Sequence, residues 1–414
     1  MGCVAIELEL RSSLRFMSAD VATDEARVDE LIDRLLAENP PATTSAIDFL
    51  GAQFDLGLAW VHNAEGLGGL GLSPKLQKRI NERIAEAGGP AAMPRNPIGH
   101  GMTGPTVAVW GSDAQKARYL RPLFTGEEVW CQLFSEPGAG SDFAGLSSRG
   151  VRDGDEWVIN GQKVWTTLAH VSRFGLLVVR TDTEAVKHAG LTAFVVDMQA
   201  PGVEVRPLRQ MTGDAEFNEV YFTDVRIPDA EMLGNPGDGW RVSLTTLMNE
   251  RVSIGGTTPP RGSGAIGSLV GLWQGLADER KTPTARDRVA ALWCRAEAAR
   301  LTNIRAAQMR KKGDPGPEGS IGKLASAELN KDIFECQVDL LGAEGMLFSS
   351  YEMKATSRTM DLSTPQKAFL RMRANSIEGG TTEVMKNILG ERVLGLPGDV
   401  RVDREVPWSQ VPRN

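Results

Sequence analysis

The chain has 414 residues, 41% of them hydrophobic, so two or three packed cores are expected rather than one. Its formal net charge of −7 comes without a basic run, which argues against broad nucleic-acid binding through phosphate neutralisation. No stretch approaches the roughly 20 apolar residues that span a bilayer; the 4 cysteines form no CxxC pair or disulfide framework, and the 4 histidines lack metal-ligand spacing, so a reducing cytoplasm and no protein-held metal are expected.

Residues 1–23 open with "MGCVAIELELRSSLRF", which is too acidic and too short in its apolar run for a signal peptide. Ile6 stands where a myristoylation motif needs Ser or Thr. The segment reads as a disordered extension, with Met17 as an alternative start. From 24 to 126 the pattern is helical. "EARVDELIDRLLAE" sets Val28, Leu31, Ile32, Leu35 and Leu36 on one stripe, and "SPKLQKRINERIAEAGG" opens on a Ser N-cap and closes on Gly-Gly. The intervening "EGLGGLGLS" contains Gly66-x-x-Gly69, but no strand precedes it, so it reads as a loop rather than a nucleotide cradle.

From 127 to 236 short Val- and aromatic-rich runs alternate with turns, the signature of a β-domain, and Asn160-Gly161 within "WVINGQKVW" predicts a two-residue hairpin. From 237 to 414 long amphipathic segments return, notably 288–312 and 321–342. Helices, then sheet, then helices describe an α+β chain of three domains.

Two stretches carry the chemistry. "CQLFSEPGAGSD" (131–142) ends a strand on small residues, which lets backbone N–H groups approach a planar or anionic ligand, with Ser141 in reach of a phosphate. Alone it reads as a turn. In "KVWTT", Trp165 and Thr167 are expected on one strand face, where an indole packs on a flat ring and a hydroxyl donates to it; an isolated Trp reads as core.

Together, "LFSEPGAGSD" and "DEWVINGQKVWTT" at this spacing resemble the acyl-CoA dehydrogenase family, and the likeness extends through "GSDAQKARYLRPLFTGEE", "FNEVYFTDVRIP" and "GGTTEVMKNILGERVLGLP". The resemblance implies an N-terminal all-α domain, a middle β-domain seating FAD and a C-terminal four-helix bundle. It implies an acyl-CoA substrate, an electron-transfer flavoprotein as electron acceptor, and a homodimer or homotetramer. Carried over by position, Leu133, Phe134 and Ser135 would contact the flavin ring, Gly140 and Ser141 the pyrophosphate, and Trp165 and Thr167 the isoalloxazine. Thr381 and Glu383 would meet the adenosine half, and Gly342 and Ala343 a neighbour's FAD.

The family reaction needs a carboxylate facing the substrate's α-carbon. Relatives often place Glu directly before Gly-Thr, but here Gly379 holds that place and Glu378 comes one residue early. A second branch, typified by isovaleryl-CoA dehydrogenase, takes the base from the first bundle helix before an Arg. That points to Glu250, supported by Arg251, with Glu378 as the alternative and the Gly379 N–H as a donor to the thioester carbonyl. Other departures are Pro283 after Arg280 where Phe is usual, Asp339 in place of Gln, and an insertion-like stretch at 348–369. They resemble actinobacterial members acting on bulky or ring-bearing esters, some of which are mixed pairs with one inert subunit. An oxidase and a non-catalytic partner subunit are the alternatives. Met211, Thr212 and Leu247 are expected near the acyl group.

Overall fold

In the computed structural model the described residues are 23–255, 259–311, 318–348, 350, 362, 364–400, 402–403 and 405–411. The expected N-terminal extension up to residue 22 and most of the insertion-like stretch lie outside them.

The predicted first stripe forms helix α1 (23–38), with Val28, Ile32 and Leu35 buried against Phe49 of α2 (Ala46–Asp55) and Ile80 and Ile84 of α3 (Leu76–Glu86). Ser45 caps α2 through the Asp48 N–H, but α3 starts later than expected, because Ser73 and Pro74 form a preceding turn. The Gly66 loop folds onto its own backbone, Gly68 O accepting from Trp60 N–H at 2.8 Å. A side-chain carbon on Gly69 would stand 2.2 Å from Asn63 O, so the glycine there permits close packing rather than ligand approach. A π-helical turn, Gly99–Thr103, leads into α4 (Gly104–Trp110), and α5 (Asp113–Thr125) starts on a Ser112–Gln115 capping box and stops on left-handed Gly126.

The middle section is one sheet. Strands β2 (Arg149–Asp153), β3 (Glu156–Thr167), β4 (Phe174–Arg180), β5 (Leu191–Asp197), β6 (Val203–Pro207), β7 (Phe217–Pro228) and β8 (Met232–Leu233) run in the order β6-β7-β3-β2-β4-β5-β8, with β1 (Trp130–Leu133) parallel to β4. "FGLLVVR" is apolar at successive positions because β4 is covered on both faces. Leu176 and Val178 join the core shared with α4, α5 and β1, while Leu177 and Val179 face the core closed by Trp157, Ile159 and Val220.

The expected hairpin at Asn160-Gly161 is not there. Both residues lie inside β3, and the hairpin turns at Gly154-Asp155, where Arg152↔Trp157 and Asp153↔Glu156 are paired and Gly154 has φ +68°. Gly161 instead marks a register shift against β7, with φ +153°. The physical reason is contact: a Cβ there would approach Ser148 Oγ to 2.2 Å and its Cα to 2.7 Å.

Helix α6 (Gly239–Gly255) returns against the π-helical turn and α4, with Thr246 Oγ1 and Thr106 Oγ1 2.9 Å apart. Helices α7 (Ala265–Gly275), α8 (Pro283–Lys311), α10 (Pro365–Met372) and α11 (Thr382–Arg392) all pack on the central α9 (Glu318–Leu341), through Leu269, Leu292, Ile333 and neighbours. Among the described residues no helix is long and apolar enough to cross a membrane.

Gly161→Ala is expected to destabilise the protein by about 1–3 kcal/mol through overpacking against Ser148. Denaturant unfolding would show a lower midpoint, whereas Gly154→Asn, at the true turn, should leave it nearly unchanged.

Candidate active site

After β1 the chain makes a tight turn: Glu136 N–H donates to Ala139 O and Ala139 N–H to Glu136 O, both at 3.0 Å. Side-chain carbons on Gly138 or Gly140 would meet nothing within 4 Å, and Ser141 and Asp142 are exposed, so the small residues leave an open shelf. The Leu133 and Phe134 side chains are buried, Phe134 stacked on Phe143 at 4.8 Å. Only their backbone and half-buried Ser135 are left to meet a ligand.

Beneath the shelf lies a buried ion pair that the sequence reading missed. The Glu136 carboxylate accepts from Ser147 N–H at 2.6 Å, Ser148 N–H at 3.0 Å and Lys163 Nζ at 2.8 Å, and fully buried Lys163 also donates to Phe134 O at 3.1 Å. Burial alone would raise the Glu136 carboxyl, but the Lys163 charge and these hydrogen bonds hold it below its ordinary 4.5. A lowered acid stabilises the fold at neutral pH, and that contribution is lost as pH falls through the lowered value. A signal was available: Lys163 is the one cation in β3, carried between Ile159 and Val164, which the chain buries.

Val164 N–H donates to Ser135 O at 2.9 Å, joining the shelf to β3. The even alternation expected for Trp165 and Thr167 is broken, because the β3–β7 register shifts between Lys163 and Thr166. Trp165 sits at φ +60°, a conformation bulky residues rarely adopt, and is 61% exposed, edge-on to Phe217 with ring centroids 6.1 Å apart. Thr167, half-buried, pairs with Phe217 in the sheet. An exposed indole beside an open glycine shelf and an exposed hydroxyl fits a flat ring carrying a phosphate arm, so these residues suit the expected flavin.

The next contacts cross into the helical bundle. Buried Asp214 and Glu216, just before β7, face buried Lys367 and Arg371 on α10, at 3.7 and 3.4 Å. The Arg371 guanidinium lies 5.5 Å over the Phe217 ring, extending the line from Trp165. Arg371 also grips Glu378 with both terminal nitrogens (3.1 and 2.9 Å), and Asn375 Nδ2 adds a third bond at 2.7 Å. Both Glu378 oxygens are therefore engaged. Gly379 and Gly380 follow at φ +63° and +92°, Thr381 caps α11 through Val384 N–H at 3.1 Å, and Glu383 is exposed in the first turn.

Position 250 on α6 falls in helical register with buried Ser243 and Thr246 and half-buried Leu247; the side chains of Glu250 and Arg251 lie outside the described residues. Thr212 is buried and Met211 is 55% exposed.

Gly342 and Ala343 stand elsewhere. Thr382 bonds Glu328 on α9 at 2.9 Å, whereas Gly342 follows the end of that helix, roughly 20 Å further along its axis. Gly342 borders a cleft of about 460 Å³ with Arg280, Thr282 and Arg288. Pro283 is the first residue of α8, and Asp339 pairs with Arg288 at 2.5 Å.

Family models match in three consecutive stretches: acyl-CoA dehydrogenase N-terminal domain at 15–127, middle domain at 131–225 and C-terminal domain at 237–394. The chain is 36% identical over 354 residues to acyl-CoA dehydrogenase IpdE1 of Mycobacterium tuberculosis, covering 83% of this chain and 86% of that one. Two solved structures superpose with TM-scores of 0.66 at 25% identity. One is the Tcur3481-Tcur3483 steroid ACAD, with 92% of this chain and 98% of that one covered. The other is the ChsE4-ChsE5 complex of Mycobacterium tuberculosis, at 91% and 98%.

Lys163→Met is expected to cost about 3–5 kcal/mol, because it strands a buried carboxylate. Equilibrium unfolding of the variant checks this. Arg371→Met, which strands Glu216, is expected to cost a similar ~3–5 kcal/mol, and Glu378→Gln only about 1 kcal/mol, since an amide still accepts one bond. Hydrogen exchange across 374–382 should rise far more in the first of these variants than in the second.

Proposed function

The chain belongs to the acyl-CoA dehydrogenase family, and we propose that it converts an acyl-CoA thioester to the trans-2-enoyl-CoA with Glu250 as the base. Members of the family bind FAD, which supplies the acceptor for the β-hydride. The backbone at Leu133 and Phe134, with Ser135, Trp165 and Thr167, holds the flavin ring, and Gly140 and Ser141 hold the pyrophosphate. Thr381 and Glu383 meet the adenosine half, while Gly342 and Ala343 serve a neighbouring subunit's FAD, in keeping with their place past the end of α9, away from the Glu328 that Thr382 bonds.

The observation that carries the base assignment is the engagement of Glu378. Arg371 and Asn375 occupy both of its oxygens, so it is anchored where a base must turn to the substrate. Position 250 follows buried Ser243 and Thr246 at helical spacing on α6, which supports Glu250 as the base. Glu250 removes the α-proton, and the Gly379 N–H donates to the thioester oxygen as negative charge gathers there. Arg251 supports the pocket beside the base. A positioned base of this kind is worth roughly 10²- to 10⁴-fold in rate.

The acyl group we propose is bulky and ring-bearing. A solved structure that this chain resembles at 25% identity carries the name steroid ACAD. An electron-transfer flavoprotein takes the electrons onward. The working unit is a homo-oligomer, and mass spectrometry of the purified protein would expose a second chain if one is obligatory.

Anaerobic addition of short, long and ring-bearing acyl-CoA esters tests the reaction. Wild type should bleach its flavin absorbance fastest with a ring-bearing ester. Glu250→Gln should stay yellow with every ester, while Glu378→Gln should still bleach. If the Glu250 variant bleaches and the Glu378 variant does not, the base assignment is reversed.

A further inference from the structure

The flavin shelf does not stand alone. Its downstream turn, 142–146, is held at three points. Asp142 Oδ2 pairs with Lys187 Nζ at 2.7 Å. Phe143 stacks on Trp240 of α6 at 6.1 Å, and His188 meets that indole edge-on at 4.4 Å. Buried Arg180 donates to Ala144 O at 2.6 Å, Leu146 O at 3.4 Å and Lys187 O at 2.9 Å.

The end of the chain grips two of these three holds. Asp403 pairs with Lys187, so one buried ammonium is shared between the shelf and the tail. Trp408, 8% exposed, lies beneath the Arg180 guanidinium, 4.4 Å from ring centroid to the cation. Backbone bonds set this register: Trp408 N–H donates to Ala185 O at 3.0 Å and Ser409 N–H to Thr183 O at 2.9 Å, and Val186 and Pro407 form a bridge. The tail thus docks on the loop between β4 and β5. It lies past residue 394, where the match to the C-terminal domain model stops.

We propose that the C-terminal segment acts as a strap whose Asp403 and Trp408 position the shelf for FAD through Lys187 and Arg180. The strap touches no ligand itself. It holds the two cations in the rotamers that fix Asp142 and the Phe143–Gly145 turn, so removing it leaves the shelf intact in sequence but free to shift. A buried lysine shared by two carboxylates, and an arginine held on an indole face, are interactions whose loss is felt at their other partners. The proposal rests on the reading of Ser141 as the pyrophosphate contact, and the test separates the two.

Purified holoenzyme is stripped of flavin and retitrated with FAD, following flavin fluorescence, alongside thermal unfolding of each apoprotein. Asp403→Asn and Trp408→Ala are each expected to raise the FAD dissociation constant by roughly tenfold, about the effect of one charge-assisted contact. Trp408→Phe, which keeps a ring under Arg180, should restore most of the affinity. Asp403→Asn, at the half-buried surface, should leave apoprotein unfolding close to wild type, which distinguishes positioning from a general loss of stability. Ser141→Ala should also weaken FAD. Unchanged FAD affinity in both strap variants overturns the strap. Weakened affinity in the strap variants with an unaffected Ser141→Ala upholds the strap at Asp142 to Leu146 and removes Ser141 from the phosphate site.

Discussion

A carboxylate and an ammonium buried together under a glycine turn determine how this site is built. Taken out of water, either charge alone is prohibitive, so Glu136 must be met by Lys163 and by two backbone N–H groups at once. That requirement fixes the end of β1, the 147–148 segment and the middle of β3 relative to one another. The open shelf above and the exposed Trp165 indole beside it follow from that placement. The left-handed backbone at Trp165 is tolerated because the β-bulge beside Lys163 leaves it no regular partner in β7.

The same device recurs where the domains meet. Two acids of the middle domain, Asp214 and Glu216, face two cations of α10, and one of those cations reaches on to Glu378. Burial makes the pairs of Asp214 with Lys367 and Glu216 with Arg371 intolerant of losing one partner. The turn at Gly379 and Gly380 is thereby tied to the sheet that carries Phe217 and Trp165. The carboxylate nearest the diglycine turn is thus engaged in the architecture, bonded by Arg371 and Asn375. On the other side of the shelf, Lys187 and Arg180 play the corresponding part, with the chain's own end as counterweight.

Much of this was legible in the sequence. Helical periodicity located α1 and the long bundle helices, because a stripe every three to four residues has only one way to be buried. The apolar run of β4 marked a strand, and the structure shows that it is covered on both faces. Asn160-Gly161 misled, since the pair is a turn signal only where the chain is free to reverse. Here a glycine was demanded by the close approach of Ser148 on the neighbouring strand's side, a contact no local pattern contains. The even alternation of Trp165 and Thr167 failed for a similar reason: a bulge is a property of two strands in register, not of one.

By itself the sequence determined the family and the order of helical and β segments, because motifs and periodicity are local and survive without neighbours. Only the tertiary structure decided which charges pair. Glu136 with Lys163, Glu378 with Arg371, and Lys187 with Asp403, 216 residues apart, are partnerships set by burial. Desolvation forces each buried ion to find its counterpart in space, and the chain offers many candidates of equal charge, so the choice among them exists only once the chain has folded.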